Sequence, residues 1–402
     1  MHICLIYPGY PPESHAGGIG TFIEELVSTL SHNGNHVIDI ISRSDNFGDH
    51  VKKLSGKITL YRLGENINAK DDANLLFRKH GYLQYYKKIA DLVKTIDSKN
   101  VIDIIEVADW GAEGINLFPE FADRVIVRCH TPSFISEKYN PSNAQYLSDG
   151  IKKAERKMLS LTKYLACPSK SLFDEISKQV SLNCVFDIEP YPINTRKIIT
   201  KKTYDLRQPI QLLSVGRIEE RKGQDIILQA CQQLALKKTA TALNLVGVDT
   251  PTKNSTPISE NFIGKLNGPL QYELNLSGEK PRNQVLREYH NYDIYIAASR
   301  FDNYPITLLE AMAAGLPVIG NNNSGIKEIM KENITGLLFN GSSEQLETCI
   351  SRLLNNATER RQLGLAAKKF VRETLTPKTI YNIIINNYLR ICDQKTVLKG
   401  KV

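Results

Sequence analysis

Asp302 and Glu310 stand eight positions apart in SRFDNYPITLLEAMAAGLPVIG, residues 299–320. Between them, Pro305 suits the first position of a helix, where its missing N–H is no loss and its fixed φ is already helical. Leu308, Leu309, Ala311, Met312, Ala313 and Ala314 are good helix formers. Gly315 suits the position just past the helix end, and Pro317 prevents resumption. Asp302 is therefore expected in the loop before the helix and Glu310 about one and a half turns into it, roughly 8–9 Å along the axis. The helix N-terminus between them offers unbonded N–H groups and the positive end of the dipole, which suits an anion. Two acceptors bracketing an anion over about the length of a diphosphate would serve a nucleotide-sugar pocket. An ordinary amphipathic helix with a solvated Glu fits the same stretch equally well.

Other chemistry-bearing residues recur at the ends of expected strands. The loop YPGYPPESHAGGIG (residues 7–20) carries Tyr7, His15, Gly17 and Gly18, with prolines that stiffen it and glycines that admit close backbone approach. In SVGRIEERKG, Gly216 and Arg217 follow a strand and Lys222 comes five residues later. Arginine offers phosphate a planar fork and lysine a point charge, although a solvated basic turn would look the same. His130 closes the run RVIVRCH, and Asp109 and Trp110 close VIDIIEVADW, which also holds Glu106. A lone histidine in such a place is more often structural than catalytic.

The elements that must position these residues alternate. Apolar runs at 3–6, 36–42, 57–63, 101–109, 124–130 and 163–169 read as strands, with helices predicted at 21–30, 83–96, 151–162 and 171–179. The pattern breaks at Glu189–Asn194 with two prolines and a basic, polar stretch reaching Arg207. A second series follows, with strands at 211–215, 243–247, 272–278, 293–299 and 336–339. Its helices are expected at 224–236, near Ile258, at 283–290, from Ser343 and at 358–375. A terminal amphipathic helix follows Pro377. The fold class is α/β, with two Rossmann-like, doubly wound domains facing across a cleft, and ligands at the carboxyl ends of the strands.

Composition narrows the class. The chain has 402 residues, 42% apolar and 23% charged, enough for two ordinary globular domains. No apolar run approaches the ~20 residues a membrane span needs, and the N-terminus reads as a buried strand, not a signal peptide. The net charge of +8 is spread thinly and does not suggest nucleic acid. It is compatible with anionic substrates or weak peripheral attraction to an anionic membrane surface. Seven scattered cysteines without a CxxC pair fit small buried residues in a reducing cytoplasm. Neither G-x-G-x-x-G nor a G-x-x-x-x-G-K-[ST] phosphate loop occurs, which disfavours a dehydrogenase.

As a set, the GGIG loop, SVGRIEERKG, the LVG strand, FDNYPITLLEAMAAGLPVIG, SGIKEI and ITGLLF resemble a family 4 glycosyltransferase of the GT-B fold over essentially the whole chain. The resemblance implies an acceptor-side domain at 1–195, a nucleotide-sugar domain at 205–376, and a C-terminal helix, 378–395, crossing back onto the first. It implies a hexosyltransferase-type enzyme that transfers sugar from a nucleotide-diphosphate-sugar to a hydroxyl acceptor, retains anomeric configuration, and uses no metal or cofactor. Arg217 and Lys222 would hold the departing diphosphate, with Gly216 in the same loop. Glu310 would bind the ribose, and Asp302 the donor sugar. Asn303, Tyr304, Pro305 and Ile306 would complete the donor site, and Gly17 and Gly18 would approach it through backbone. His130 would position the sugar at the reacting centre. Tyr7, His15, Glu106, Asp109 and Trp110 are assigned to the acceptor side. The first acid of the family's E-x7-E element is Asp302 here instead of Glu, and Asn303 and Tyr304 replace its usual glycine and phenylalanine. Single-domain GT-A enzymes need an Asp-x-Asp metal site, whose nearest match is Asp187-Ile188-Glu189. A non-catalytic nucleotide-sugar-binding protein or a sugar-nucleotide epimerase on the same scaffold remain the alternatives.

Overall fold

His2–Ile6 (β1) is buried along its whole length, as a parallel strand covered on both faces must be. It pairs in parallel with Val37–Arg43 (β2) on one side and Ile104–Ala108 (β5) on the other. These strands are the middle of an eight-stranded sheet in a computed structural model that describes residues 1–12, 17–44, 48–64, 81–142 and 148–399. Outward from β2 lie Ile58–Leu63 (β4) and His50–Ser55 (β3); outward from β5 lie Val125–Arg128 (β6), Tyr164–Cys167 (β7) and Val185–Ile188 (β8). Every pairing is parallel except that of β3 with β4. Helices α1 (Gly17–Asn33), α2 (Gly81–Lys99), α3 (Phe118–Phe121), α4 (Ser133–Tyr139), α5 (Asp149–Leu161) and α6 (Lys170–Ser177) join the strands.

The second sheet has six strands, all parallel: β11 (Glu273–Leu276), β10 (Thr241–Val246), β9 (Ile210–Val215), β12 (Ile294–Ala297), β13 (Val318–Asn321) and β14 (Leu337–Phe339), in that spatial order. Its helices are α7 (Gln224–Leu236), α8 (Ile258–Gly264), α9 (Arg282–Glu288), α10 (Ile306–Ala314), α11 (Ser324–Ile329), α12 (Ser343–Asn355) and α13 (Ala357–Thr374). Ile227, Ala230, Cys231 and Leu234 of α7 bury against Leu212, Leu243, Ile296, Leu346 and Ile350. Each such aliphatic side chain contributes about 1.5–3 kcal/mol on leaving water.

Two units result. One comprises Met1–Ile135, Tyr146–Pro192 and Pro377–Val402; the other comprises Ser136–Gln145 and Ile193–Thr376. The break at Pro192 falls in the Glu189–Asn194 stretch, and the last helix, α14 (Pro377–Lys399), packs on α1 of the first unit. In each sheet the strand order reverses beside the first strand, between β1 and β5 and between β9 and β12. Those reversal points are where doubly wound sheets open a ligand crevice at their carboxyl ends.

Five elements differ from the sequence reading, the four-residue α3 among them. β3 and β8 are edge strands with largely exposed or half-buried side chains, so they lack the apolar run that marks a buried strand. α4 and α11 have seven and six residues, too short for a helical period to show. In addition α1 starts at Gly17, so the glycines form its first turn instead of the preceding loop. Pro305 caps α10 from outside, in extended backbone, and Ile306 is the first helical residue. Among the described residues no helix is long and apolar enough to cross a membrane.

Candidate active site

In the second unit the loops after β9 and β12 meet at the reversal point. β9 runs into Gly216 at φ +147° and Arg217, and a 3-10 turn, Glu220–Lys222, presents the cations. Gly223 ends that turn at φ +68°, where a Cβ would lie 2.2 Å from the Ala298 carbonyl oxygen, so no other residue fits. Lys222 Nζ donates to Asp302 Oδ2 at 2.6 Å. Arg221 Nη2 reaches Glu219 Oε1 at 2.6 Å, while Arg217 Nη2 approaches Glu219 Oε2 at 3.4 Å and its side chain is 52% exposed. Arg217, Arg221 and Lys222 thus face the carboxylates of Glu219 and Asp302, while the Glu220 carboxylate of the same turn is held by Ser142. The N-terminus of α10, which no side chain caps, adds the positive end of its dipole beside Lys222 and Arg217. Lys222, Ser214, Ser299, Asp302, Pro305 and Thr307 line a recess there.

Asp302 is 4% exposed. Burial raises its pKa, but the charges of Lys222 and Arg221 and the hydrogen bonds from Lys222 and Ser299 outweigh burial and hold it below the usual value. Its backbone is fixed by α11: Asp302 N–H donates to Ser324 Oγ at 3.0 Å, and Gly325 N–H donates to the Asp302 carbonyl at 2.8 Å. Asn303 and Tyr304 are buried. Glu310 is 2% exposed, accepting from Arg282 Nε at 3.0 Å and from the Tyr289 hydroxyl at 3.1 Å. Ser299, Ser324, Gly325, Arg221 and Arg282 went unassigned in the sequence, although SGIKEI marked the stretch containing two of them.

The first unit holds the rest. Gly17 and Gly18 open α1, and a Cβ on either would meet nothing within 4 Å, so their backbone faces open space. His130 lies just past β6; its Nδ1 bonds the Tyr191 hydroxyl at 2.8 Å, and its ring packs among Tyr7, Phe22 and Tyr191. Burial and then the charge of Arg128 push its pKa well below the usual value, so the imidazole is neutral. Thr131, a β-branched residue, sits at φ +121°, a strained conformation. Asp109 holds that turn by accepting the N–H of His130 at 2.9 Å and of Thr131 at 3.3 Å. Glu155 holds its flanks, accepting from Gly111 N–H at 2.9 Å and from Ser133 N–H and Oγ at 2.9 and 2.6 Å. Trp110 is half-buried in the neighbouring 3-10 turn.

Tyr7 and Glu106, assigned to the acceptor side, are buried and bonded within the first unit. Both are 0% exposed, and Glu106 accepts from Tyr7 at 2.6 Å, from Arg128 Nε and Nη2 at 2.8 Å each, and from Tyr388 of α14 at 2.7 Å. Glu189 completes that network through Arg128 and Asn387, and Asp187 pairs with Arg390. These groups are spent on the fold of the first unit. Asp109 is also 0% exposed and acts through the backbone it holds. His15 lies outside the described residues.

Residues 196–370, which lie within the second unit, match the family described as glycosyl transferases group 1. The chain is 28% identical over 197 residues to the amylovoran biosynthesis glycosyltransferase AmsK of Erwinia amylovora, a match spanning 47% of each protein, about half the length of that relative. Sucrose-phosphate synthase of Thermosynechococcus elongatus has the same fold, with a TM-score of 0.78 at 18% identity over 97% of this chain and 98% of that one. Anabaena HepE, solved in complex with UDP and glucose, superposes with a TM-score of 0.63 at 13% identity over 96% and 99%.

Proposed function

We propose that the protein is a retaining, metal-independent glycosyltransferase that moves a sugar from a nucleoside-diphosphate sugar to a hydroxyl acceptor. The observation that carries this reading is the cationic turn Arg217–Lys222 beside the uncapped N-terminus of α10, at the reversal point of the second sheet. As the glycosidic bond breaks, negative charge grows on the diphosphate. Arg217 and Lys222 would stabilise it there, where fixed donors are worth most. They would supply the positive charge that a metal supplies elsewhere. Asp187 and Glu189, the nearest approach to a metal-binding pair, are engaged by Arg390 and Arg128. Glu310 would exchange its Arg282 and Tyr289 contacts for ribose hydroxyls. Asp302 would hold Lys222 toward the phosphate and meet the donor sugar. Gly17 and Gly18 would bring α1 amides to the phosphate, and His130 would orient the sugar.

Retention is supported by what surrounds His130. An inverting transfer needs a general base facing the acceptor hydroxyl. His130 has a depressed pKa and bonds a tyrosine hydroxyl through Nδ1, not a carboxylate that would raise its basicity. Asp109 points both oxygens at backbone amides. Trp110 and His15 remain acceptor-side candidates, and a cytoplasmic location fits seven scattered cysteines with no CxxC pair. A thermal-shift screen against UDP-, GDP-, ADP- and dTDP-sugars tests the reading, since a ligand bound only by the native state raises Tm. One of the four should do so, and Lys222→Ala should abolish the shift; four null results would count against a nucleoside-diphosphate site.

A further inference from the structure

We infer that residues 139–142 position Lys222, with Asn140 as the positioning residue; this rests on the reading of the 217–222 turn as a diphosphate site. The segment Ser136–Gln145 belongs to the second unit, although the sequence on either side of it belongs to the first. It lies on both loops of the cationic site. Asn140 is 1% exposed, and its Oδ1 accepts the backbone N–H of Arg221 at 2.8 Å. Ser142 donates its N–H and its hydroxyl to the Glu220 carboxylate, each at 2.9 Å. The Tyr139 ring stacks on Phe301, the residue before Asp302, with centroids 4.9 Å apart and planes 14° apart. The short segment therefore grips the turn that carries Lys222 and abuts the residue next to its ion-pair partner.

Hydrogen bonding makes Asn140 the focus. Within the 3-10 turn, Lys222 N–H bonds Glu219 O at 2.9 Å and Gly223 N–H bonds Glu220 O at 3.1 Å, so those amides are satisfied locally. The amide just before them, that of Arg221, takes its acceptor from Asn140. Without that acceptor a buried N–H is left unpaired, a state proteins avoid by shifting backbone toward another acceptor or water. Any such shift moves the next residue, Lys222, whose Nζ sits 2.6 Å from Asp302. Asn140 is buried and bonded to the backbone of the turn, so it acts through Lys222.

The test compares Asn140→Ala with Asn140→Asp, which keeps the Oδ acceptor, in the full chain. Turnover of whichever nucleoside-diphosphate sugar shifts the wild-type Tm is measured as kcat and donor KM. A displacement of about 1 Å at such a site lowers rate about 100-fold, and a 10- to 100-fold fall in kcat/KM is expected for Asn140→Ala, with recovery to within a few-fold for Asn140→Asp. A folded Asn140→Ala protein with wild-type kcat and KM overturns the inference, as does one changed only in Tm. If Asn140→Ala does not fold, Tyr139→Leu takes its place; reduced kcat/KM supports the inference and an unchanged value overturns it. A wild-type protein that binds and turns over none of the donors instead sinks the reading of the site itself, a result these variants do not mimic.

Discussion

Asp109 and Glu155 make the stability of the first unit fall as pH rises through neutrality. Both are 0% exposed, and burial pushes Asp109 from 3.8 up to about 7 and Glu155 from 4.5 up to about 8, against the opposing pull of their backbone hydrogen bonds. A carboxyl with a raised folded pKa binds its proton in the native state at pH values where the unfolded chain has lost it. Its contribution is therefore fully present below the unfolded pKa and is lost as pH climbs through the folded one. The window runs from about 4 to about 8, set by these two shifts. Roughly three units each, at ~1.36 kcal/mol per unit, gives ~4 kcal/mol per group as a ceiling, and about half of that is expected to survive relaxation and water penetration. Urea unfolding at pH 5, 6, 7 and 8 measures it. The single tryptophan, Trp110, neighbours Asp109 and reports that unit by fluorescence. Unfolding free energy should drop by about 3–5 kcal/mol across the series. Glu155→Gln should be less stable at pH 5, because its NH2 faces a backbone N–H, yet should lose about half of the slope. A flat wild-type profile, or a Gln variant with undiminished slope, would refute the reasoning.

Arg128→Met should destabilise the first unit by about 3–5 kcal/mol, because it strands the buried carboxylates of Glu106 and Glu189; urea unfolding checks it, and a loss under 1 kcal/mol counts against the network. Gly325→Ala puts a Cβ 1.8 Å from the Asn303 carbonyl oxygen, so the backbone beside Asp302 must move. About 1–3 kcal/mol of overpacking is expected, with donor affinity weakened at least tenfold as read by calorimetry.

Much of the fold is legible because its strands are buried on both faces. The runs at 3–6, 124–130, 211–215 and 293–299 are continuous apolar segments that only a covered parallel sheet explains. β3 escapes notice because HVKKLS lies on an open edge, where charge replaces the apolar signal. Site residues are visible where they follow a strand among glycines and prolines, as Arg217, Lys222 and Asp302 do, or where they sit eight positions on in the next helix, as Glu310 does. Tyr7 follows β1 and Glu106 lies in the middle of β5; Tyr7 bonds Glu106, which meets Arg128 and α14, partners that only the tertiary fold supplies. Asn140 and Ser142 leave no mark, since a polar residue in a loop looks alike whether it faces water or bonds a group dozens of residues away.

The most direct measurement is a proton NMR time course of the donor that shifts Tm, run with wild-type protein and with Lys222→Ala in water as the fallback acceptor. The account predicts that the sugar first released carries the donor's own anomeric configuration, that nucleoside diphosphate accumulates with it, and that Lys222→Ala slows release about 10²- to 10³-fold. Release of the opposite anomer, conversion of the donor into an epimer, or equal rates for the two proteins would contradict it.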